Sequence, residues 1–206
     1  FSGCFHPYED LAFIGTAHGI YQSSKVNGHW TRPEILNIHQ YWMQYNYHDM
    51  FIPQTPQNIV VSFSPYQGVQ ILGKVQDEWE LVSTGDMPDG WNEMTSLMYD
   101  QFQKIMVAGS SDGEICRKQI YDEIWEPVQT PPGTSGMSVN NMISGESNDK
   151  RVDWIVDFDS SLFRYRDDEW VDLNSTQLTG NQHCSIEYIP GSSDMVLGGT
   201  GGCHYY

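Results

Sequence analysis

A tryptophan recurs at nearly regular intervals along the chain, and this recurrence constrains the fold more than any other feature. Successive members of the series are separated by 49, 46 and 45 residues. Each follows a short segment rich in apolar residues, such as IMVAGSSDGEICRKQIYDEIW from Ile105. A further copy of this segment begins at Met195 and ends before a tryptophan. The chain therefore contains an internal repeat. The tryptophans that recur with it are Trp30, Trp79, Trp125 and Trp170.

Each repeat consists of short segments that favour β-strands. Runs rich in Ile, Val, Tyr and Trp alternate with clusters of Gly, Asp, Ser and Pro, and no helical period lies between them. Four such strands per repeat are typical of a propeller blade, which cannot bury both of its faces alone. We predict an all-β chain that forms a single β-propeller domain over residues 1–206, with five blades of about 46 residues. The recurring tryptophans are expected to be buried and to pack the blades.

The number of blades follows from the segments that can serve as first strands. These segments are residues 4–8, 48–52, 94–99, 139–144 and 184–189. Because only four tryptophans mark a fourth strand, we expect the fifth blade to lack its outer strand, or residues before Phe1 to supply it. The alternative is a four-bladed hemopexin-like domain, which has a similar length. Loops between blades are expected at the proline-glycine stretches of residues 87–90 and 131–133.

The third repeat resembles a blade of the WD type. Its segment MTSLMYDQFQKIMVAGSSDGEICRKQI, residues 94–120, has the order of an apolar strand, a turn, a strand of small residues and an Asp-Gly turn. The terminal Trp-Asp pair and the Gly-His pair of that family are missing. The hydrogen-bonded tetrad of the WD family is therefore not expected here.

A second resemblance is to the five-bladed animal lectins of the tachylectin-2 type, which place a Gly-Trp pair before the next inner strand. Gly90 and Trp91 fit this pattern, and Trp42 lies at the same distance after its repeat tryptophan. The later repeats depart from it, with Met137 and Gln182 at this position. The resemblance implies a five-bladed propeller that binds carbohydrate.

The charge of the chain limits its partners. The chain has ten Lys and Arg residues and 27 Asp and Glu residues, which gives a formal net charge of −17. This charge repels phosphate backbones and anionic headgroups, so we expect neither nucleic acid nor membrane as a partner. The residues after Phe1 show no basic start and no hydrophobic stretch. The compartment stays open, and we favour secretion with a signal peptide already removed over the cytoplasm.

The cysteines and loop motifs favour neither a metal nor a cofactor. No Cys-x-x-Cys pair, phosphate-binding glycine loop or HExxH motif occurs. The loops at residues 110–113 and 157–160 look like fragments of calcium loops and are expected to form Asx turns. Cys4 could bridge to Cys184 or Cys203 and fasten the ring, or these cysteines and Cys116 could be free thiols.

In a propeller, the loops between blades and the loops joining the second and third strands open onto one face. We expect the binding site on this face. A flat aromatic ring can cover the apolar side of a sugar while amides and carboxylates hold its hydroxyl groups. The candidate ligand-binding residues are Trp42, Tyr45, His48, Trp91, Asn92, Asn140 and Gln182.

We expect this face to bind a glycan or a similar small polar ligand, as a lectin does. The repeats share their apolar scaffold and differ in their polar residues, which favours a single site. One alternative is therefore an enzyme at the channel mouth, such as a hydrolase, isomerase or cyclase, and another is a protein-interaction platform. Whether the chain is an enzyme and how it oligomerises both stay open. The catalytic candidates are His18, His48, Glu93 and His183.

Overall fold

In the computed structural model, the described part of the chain consists of strands and loops and contains no helix. Its strands form antiparallel sheets in which consecutive strands are hydrogen-bonded neighbours. The prediction of an all-β chain is confirmed. Contacts divide the chain into two compact units, Phe1–Met94 and Thr95–Tyr206. The described residues are 2–5, 10–16, 19–23, 30–31, 49–51, 59–64, 68–75, 78–146, 152–159, 161–173, 183–189, 194–199 and 202–205.

The first unit holds two sheets of four strands. Sheet 1 consists of β1 (Ser2–Phe5), β2 (Ala12–Thr16), β3 (Gly19–Ser23) and β4 (Trp30–Thr31). Sheet 2 consists of β5 (Asp49–Phe51), β6 (Ile59–Ser64), β7 (Gly68–Val75) and β8 (Glu78–Asp86). The first strands of the two sheets, β1 and β5, contact each other. Buried side chains in this unit include Phe13, Val69 and Ile71.

The second unit holds the other three sheets. Sheet 3 consists of β9 (Met94–Asp100), β10 (Ile105–Ser110), β11 (Ile115–Gln119) and β12 (Glu126–Val128). Sheet 4 consists of β13 (Val139–Glu146), β14 (Val152–Phe158), β15 (Ser161–Arg166) and β16 (Glu169–Asp172). Sheet 5 consists of β17 (His183–Tyr188), β18 (Met195–Gly199) and β19 (Gly202–Tyr205). The first strands β13 and β17 contact each other.

The strand pattern agrees with the sequence-based expectation at the level of single sheets. Four of the five first strands begin within one residue of their predicted segments, and β1 overlaps residues 4–8 only at Cys4 and Phe5. Sheet 5 has three strands among the residues that the structure describes. The proline-glycine stretches at residues 87–90 and 131–133 lie between sheets, as predicted. Local signals therefore suffice to define each meander, because strand runs and turn residues alternate along it.

Strand β14 is buried on both of its faces. Every residue from Asp153 to Phe158 is buried. Because side chains alternate in a strand, Trp154, Val156 and Phe158 share one face, where they pack in a cluster with residues of sheet 3. On the other face, Ile155 packs with Leu162 and with residues of sheet 5. Sheet 4 therefore lies between two apolar clusters.

Aromatic rings fill the cluster between sheets 3 and 4. The rings of Trp154 and Tyr165 stack with centroids 4.8 Å apart, and Tyr165 and Trp170 lie 4.7 Å apart. Phe158 meets Trp170 edge to face at 6.1 Å. The Trp170 indole nitrogen Nε1 donates a hydrogen bond of 2.6 Å to the carbonyl oxygen of Gln129, which follows β12. Trp170 thus packs between strands of two sheets, although it is half-buried and not fully buried as expected.

Trp125 departs from the prediction that the repeat tryptophans are buried. It precedes β12 instead of lying in it, and it is half-buried. The ammonium group of Lys118 lies 5.1 Å from the centre of its ring, so the indole covers a buried lysine and does not enter the apolar cluster. Trp30 and Trp79 lie in β4 and β8, and their side chains lie outside the described part.

Sheets 3 and 4 are also joined by a buried carboxylate. Asp100, at the end of β9, is 0% exposed. Its Oδ1 accepts hydrogen bonds from the backbone N–H groups of Phe102 (2.9 Å) and Gln103 (3.0 Å). Its Oδ2 accepts one from Nε1 of Trp154 at 2.7 Å. Both oxygens are therefore satisfied, which makes the burial of this carboxylate tolerable.

Replacing Asp100 with Asn should destabilise the fold. An amide has only one acceptor oxygen, so its NH₂ group must face either the turn or the indole N–H. We expect a loss of about 2 kcal/mol in the free energy of unfolding, measured by urea denaturation. The matched control is Asp89→Asn, at an exposed turn position, where a change within about 0.5 kcal/mol is expected. Equal losses in the two variants would contradict this role of Asp100.

The Tyr165 phenol in the aromatic cluster has a raised pKa. Burial and the neighbouring Asp168, which accepts a hydrogen bond of 2.7 Å from the Tyr165 hydroxyl, raise the pKa of Tyr165 to about 12, against a weaker opposing effect of Arg117. The folded chain therefore holds this proton more tightly than the unfolded chain, whose tyrosine pKa is near 10.0. Between these values the folded state binds more protons, so its stability must fall as pH rises.

We expect the free energy of unfolding to decrease from about pH 10 to 12 and to decrease less steeply in Tyr165→Phe. Below pH 9 the two curves should run parallel, because the phenol is protonated in both states. Denaturant titrations across this range provide the measurement. Curves that stay parallel up to pH 12 would contradict the contribution of Tyr165.

Cys116 is a free, buried thiol in β11. Burial and, to a lesser extent, the neighbouring Glu114 raise its pKa to about 11. It is therefore protonated near neutral pH. The bridges considered for Cys4 with Cys184 or Cys203 involve side chains outside the described part.

Candidate functional site

The loop between β8 and β9, residues 87–93, is fixed by a turn. The backbone N–H of Trp91 donates to the carbonyl oxygen of Pro88 at 3.2 Å. Gly90 has a φ of 84°, and a positive φ at the third position of such a turn favours glycine. Pro88 is buried. The Pro-Asp-Gly sequence therefore forms a turn with a defined conformation, which carries Trp91 on its last residue.

The residues after this turn are open to solvent. Asn92 is exposed, and Trp91 and Glu93 are half-buried. The loop thus presents an indole ring, an amide and a carboxylate at consecutive positions. Of the sequence-predicted catalytic residues, Glu93 is the only one whose side chain lies in the described part of the chain.

In the second unit, the loop of residues 129–138 is held between two turns. The N–H of Gly136 donates to the carbonyl oxygen of Asp112 at 2.8 Å, which joins the loop to the β10–β11 turn. Ser138 and Asp159 bond reciprocally, because the Asp159 N–H donates to Ser138 O at 3.1 Å and the Ser138 N–H donates to Asp159 Oδ2 at 2.9 Å. A loop between sheets and two turns between second and third strands therefore meet here.

The first strand after this loop contains a β-bulge. Val139 pairs with Phe158 and Asn141 pairs with Asp157, so Asn140 is the extra residue. Asn140 is exposed. The hydroxyl of Thr95 donates to Val139 O at 2.7 Å and fixes the strand beside the bulge. Bulges commonly re-aim a side chain next to a binding site, and here the bulge presents an amide.

A second bulge occupies the same place in sheet 5. His183 pairs with Gly199 and Ser185 pairs with Gly198, so Cys184 is the extra residue. His183 therefore lies at the start of β17, but its side chain lies outside the described part of the chain. The sequence analysis did not predict either bulge, because a bulge depends on the register with the next strand.

Two turns, at residues 110–113 and 157–160, were expected to be Asx turns, in which an Asp carboxylate accepts from the backbone of its own turn. In the first, the Ser110 hydroxyl oxygen, and not a carboxylate, accepts from the N–H groups of Asp112 (3.2 Å) and Glu114 (3.0 Å). In the second, Asp159 has a φ of 45° and directs its carboxylate to Ser138 instead of to its own turn. The expectation was therefore wrong for the first turn, where a hydroxyl oxygen takes the place of a carboxylate.

Five of the predicted site residues lie outside the described residues. The site residues whose side chains the structure describes fall in two places. Trp91, Asn92 and Glu93 share one loop of the first unit, and Asn140 lies in the second unit. Within the described residues, no three His, Cys, Asp or Glu side chains gather closely enough to hold a metal ion. The five that lie outside the described residues are His18, Trp42, Tyr45, His48 and Gln182.

Replacing Gly113 tests how closely the β10–β11 turn and the loop of residues 129–138 pack. Gly113 has a φ of 82°, and an added Cβ would lie 2.3 Å from Thr134 O. Gly133 has a φ of 89° and open space around the same position. We expect Gly133→Ala to cost about 1 kcal/mol from backbone strain and Gly113→Ala about 1 to 3 kcal/mol more, by thermal or urea denaturation. Equal costs would show that the turn and the loop are not in close contact.

Solved structures resemble this chain in fold. Raptor from Chaetomium thermophilum matches with a TM-score of 0.74 and 14% identity over 100% of this chain, and the extracellular domain of the BT4673 one-component system from B. thetaiotaomicron matches with 0.72 and 13% over 99%. The computationally designed Ika8 protein matches with 0.63 and 16% over 100%. The chain spans only 19%, 26% and 57% of the lengths of these chains.

No protein-family model and no curated protein sequence matches the chain. At the identities found, the likeness to solved structures concerns the fold and carries no activity over. Among the described residues, no helix has the length and apolar character that a membrane-spanning helix needs.

Proposed function

We propose that this chain is a five-bladed β-propeller that binds a carbohydrate or a similar small polar ligand through the loop of residues 87–93. The observation that carries the binding site is the half-buried Trp91, which follows a fixed turn and precedes the exposed Asn92.

Three features support the propeller. Each described sheet is an antiparallel meander in chain order, as a blade is. Within each unit the first strands of successive sheets contact each other, β1 with β5 and β13 with β17, as strands lining a central channel do. Sheet 4 is covered by apolar clusters on both faces, as a blade between two neighbours is. Five sheets among the described residues favour five blades over a four-bladed hemopexin-like domain.

The chemistry of the loop suits a sugar. A half-buried indole ring such as that of Trp91 can cover the C–H groups of a pyranose, which water hydrates poorly. The Asn92 amide offers both a donor and an acceptor, and the Glu93 carboxylate accepts from hydroxyl groups. Because the turn already fixes the backbone beside Trp91, little conformational entropy is lost when a ligand binds. The exposed Asn140 on its bulge presents a further amide in the second unit.

The side chains of the loop of residues 87–93 favour a binding role over catalysis. Glu93 follows Asn92 and Trp91, side chains that hold a ligand without transferring protons.

A glycan array probed with the purified chain, with and without calcium, tests the proposal. We expect a reproducible glycan signal whose affinity falls about tenfold or more in Trp91→Ala and less in Trp91→Phe, which keeps an aromatic ring. The stability of Trp91→Ala should change by no more than about 1 kcal/mol, because the side chain is only half-buried.

Trp125→Ala is the matched control. This tryptophan is also half-buried but lies over Lys118 in sheet 3, so its loss should lower stability and leave glycan affinity unchanged. A blank array would contradict carbohydrate binding. Equal losses of affinity in the two tryptophan variants would contradict the placement of the site at Trp91.

A further inference from the structure

Exposed apolar side chains concentrate at one end of sheet 3. Four large apolar residues are exposed in the described part of the chain. Phe102 is 40% exposed, Tyr121 is 55% exposed and Ile124 is 75% exposed, and all three lie in turns of sheet 3. The fourth, Val171, is 41% exposed and lies on β16. Grouping of this kind is typical of an interaction surface, whereas single exposed apolar residues are ordinary.

The turns that carry these three residues adjoin each other. Phe102 lies in the β9–β10 turn, and Tyr121 and Ile124 lie in the β11–β12 turn. Ile105, the first residue of β10, pairs with Gln119, the last residue of β11. Both turns therefore leave the sheet side by side at the same end. We call the surface formed by Phe102, Tyr121 and Ile124 the turn patch.

Hydrogen bonds to a buried side chain, Asp100 in one turn and Lys118 in the other, hold both turns. The Asp100 carboxylate accepts from the N–H groups of Phe102 and Gln103. In the other turn, the Asp122 N–H donates to Gln119 O at 3.2 Å, and the buried Lys118 ammonium donates to Asp122 O at 2.7 Å. The exposure of the turn patch is thus a property of the folded chain, and a preformed surface loses little entropy on binding.

Acidic side chains flank the turn patch. Asp122 and Glu123 separate Tyr121 from Ile124, and all four are exposed. Glu126 follows in β12 and is exposed, with its carboxylate 3.7 Å from Arg117. Lys104 is a basic residue in the β9–β10 turn. The carboxylates therefore set the charge beside the apolar side chains, in keeping with a net charge of −17 for the whole chain.

We propose that the turn patch docks a protein segment whose apolar side chains are flanked by Lys and Arg. Apolar residues of the partner would cover Phe102, Tyr121 and Ile124, and its basic residues would meet Asp122 and Glu123 at the rim, where charge complementarity gives specificity. A second copy of the chain fits less well, because two acidic rims would face each other. An anionic lipid surface would be repelled for the same reason.

A synthetic peptide with Trp, Leu and Ile flanked by Lys and Arg serves as the probe, and the same peptide with Glu at every basic position is its control. Fluorescence anisotropy should detect binding of the basic peptide only, and salt should weaken that binding. Affinity should fall about tenfold or more in Tyr121→Ser/Ile124→Ser. Val171→Ser, which replaces an exposed aliphatic residue elsewhere, should bind as the unaltered chain does.

The contribution of the rim is separated from the overall charge by two double variants. Asp122→Asn/Glu123→Gln should weaken binding several-fold. Asp112→Asn/Glu114→Gln removes the same charge from exposed positions in the β10–β11 turn, at the other end of sheet 3, and should have a much smaller effect. Equal effects of the two charge-removing pairs, or of Tyr121→Ser/Ile124→Ser and Val171→Ser, would overturn the proposal.

A second copy of the chain or a lipid surface on the turn patch would give different results, and either result would overturn the proposal. Sedimentation would reveal a dimer that Tyr121→Ser/Ile124→Ser dissociates if a second copy covered the turn patch. Flotation with phosphatidylserine vesicles would reveal a lipid surface. Retention of the unaltered melting temperature in each variant confirms that a loss of peptide binding comes from the surface and not from unfolding.

Discussion

The Asp100 carboxylate links a turn of sheet 3 to the indole of Trp154 in sheet 4. A charge without access to water is tolerated only when its lone pairs are satisfied, and this requirement fixes the orientation of Trp154. The fixed indole stacks on Tyr165, and Tyr165 in turn lies against Trp170. This hydrogen-bonded acid therefore fixes how the two sheets meet, together with the bonds from Trp170 to Gln129 and from Thr95 to Val139.

The strands were predictable because their signals are local. The apolar run Ile105–Ser110, for example, follows the turn after Asp100 and precedes Asp112 and Gly113, and such turn residues mark where a strand ends. The bond between Asp100 and Trp154 was not predictable, since it joins residues 54 positions apart and depends on how two sheets approach. The partial exposure of Trp125 was missed for a related reason: its repeat position resembled that of Trp170, but a buried lysine lies beneath its ring.

The candidate site was predictable in part. Proline and glycine at residues 87–90 indicated a loop, and the structure has a turn there that ends at Trp91. The bulge at Asn140 was not predictable, because it arises from the register between β13 and β14. The turn patch escaped the sequence analysis as well. An isoleucine such as Ile124 beside a tryptophan resembles a core residue until the structure shows where the strand begins.

Because both faces of β14 are covered, a substitution in this strand disturbs two apolar clusters at once. Its residues can therefore change over evolutionary time only together with partners in two other sheets. Exposed polar residues of the loops, such as Asn92 and Asn140, carry no such double obligation and are freer to change. This asymmetry explains how tryptophan-bearing segments of similar apolar pattern came to carry different polar groups, and it marks the loops as the place where new specificities would arise by mutation.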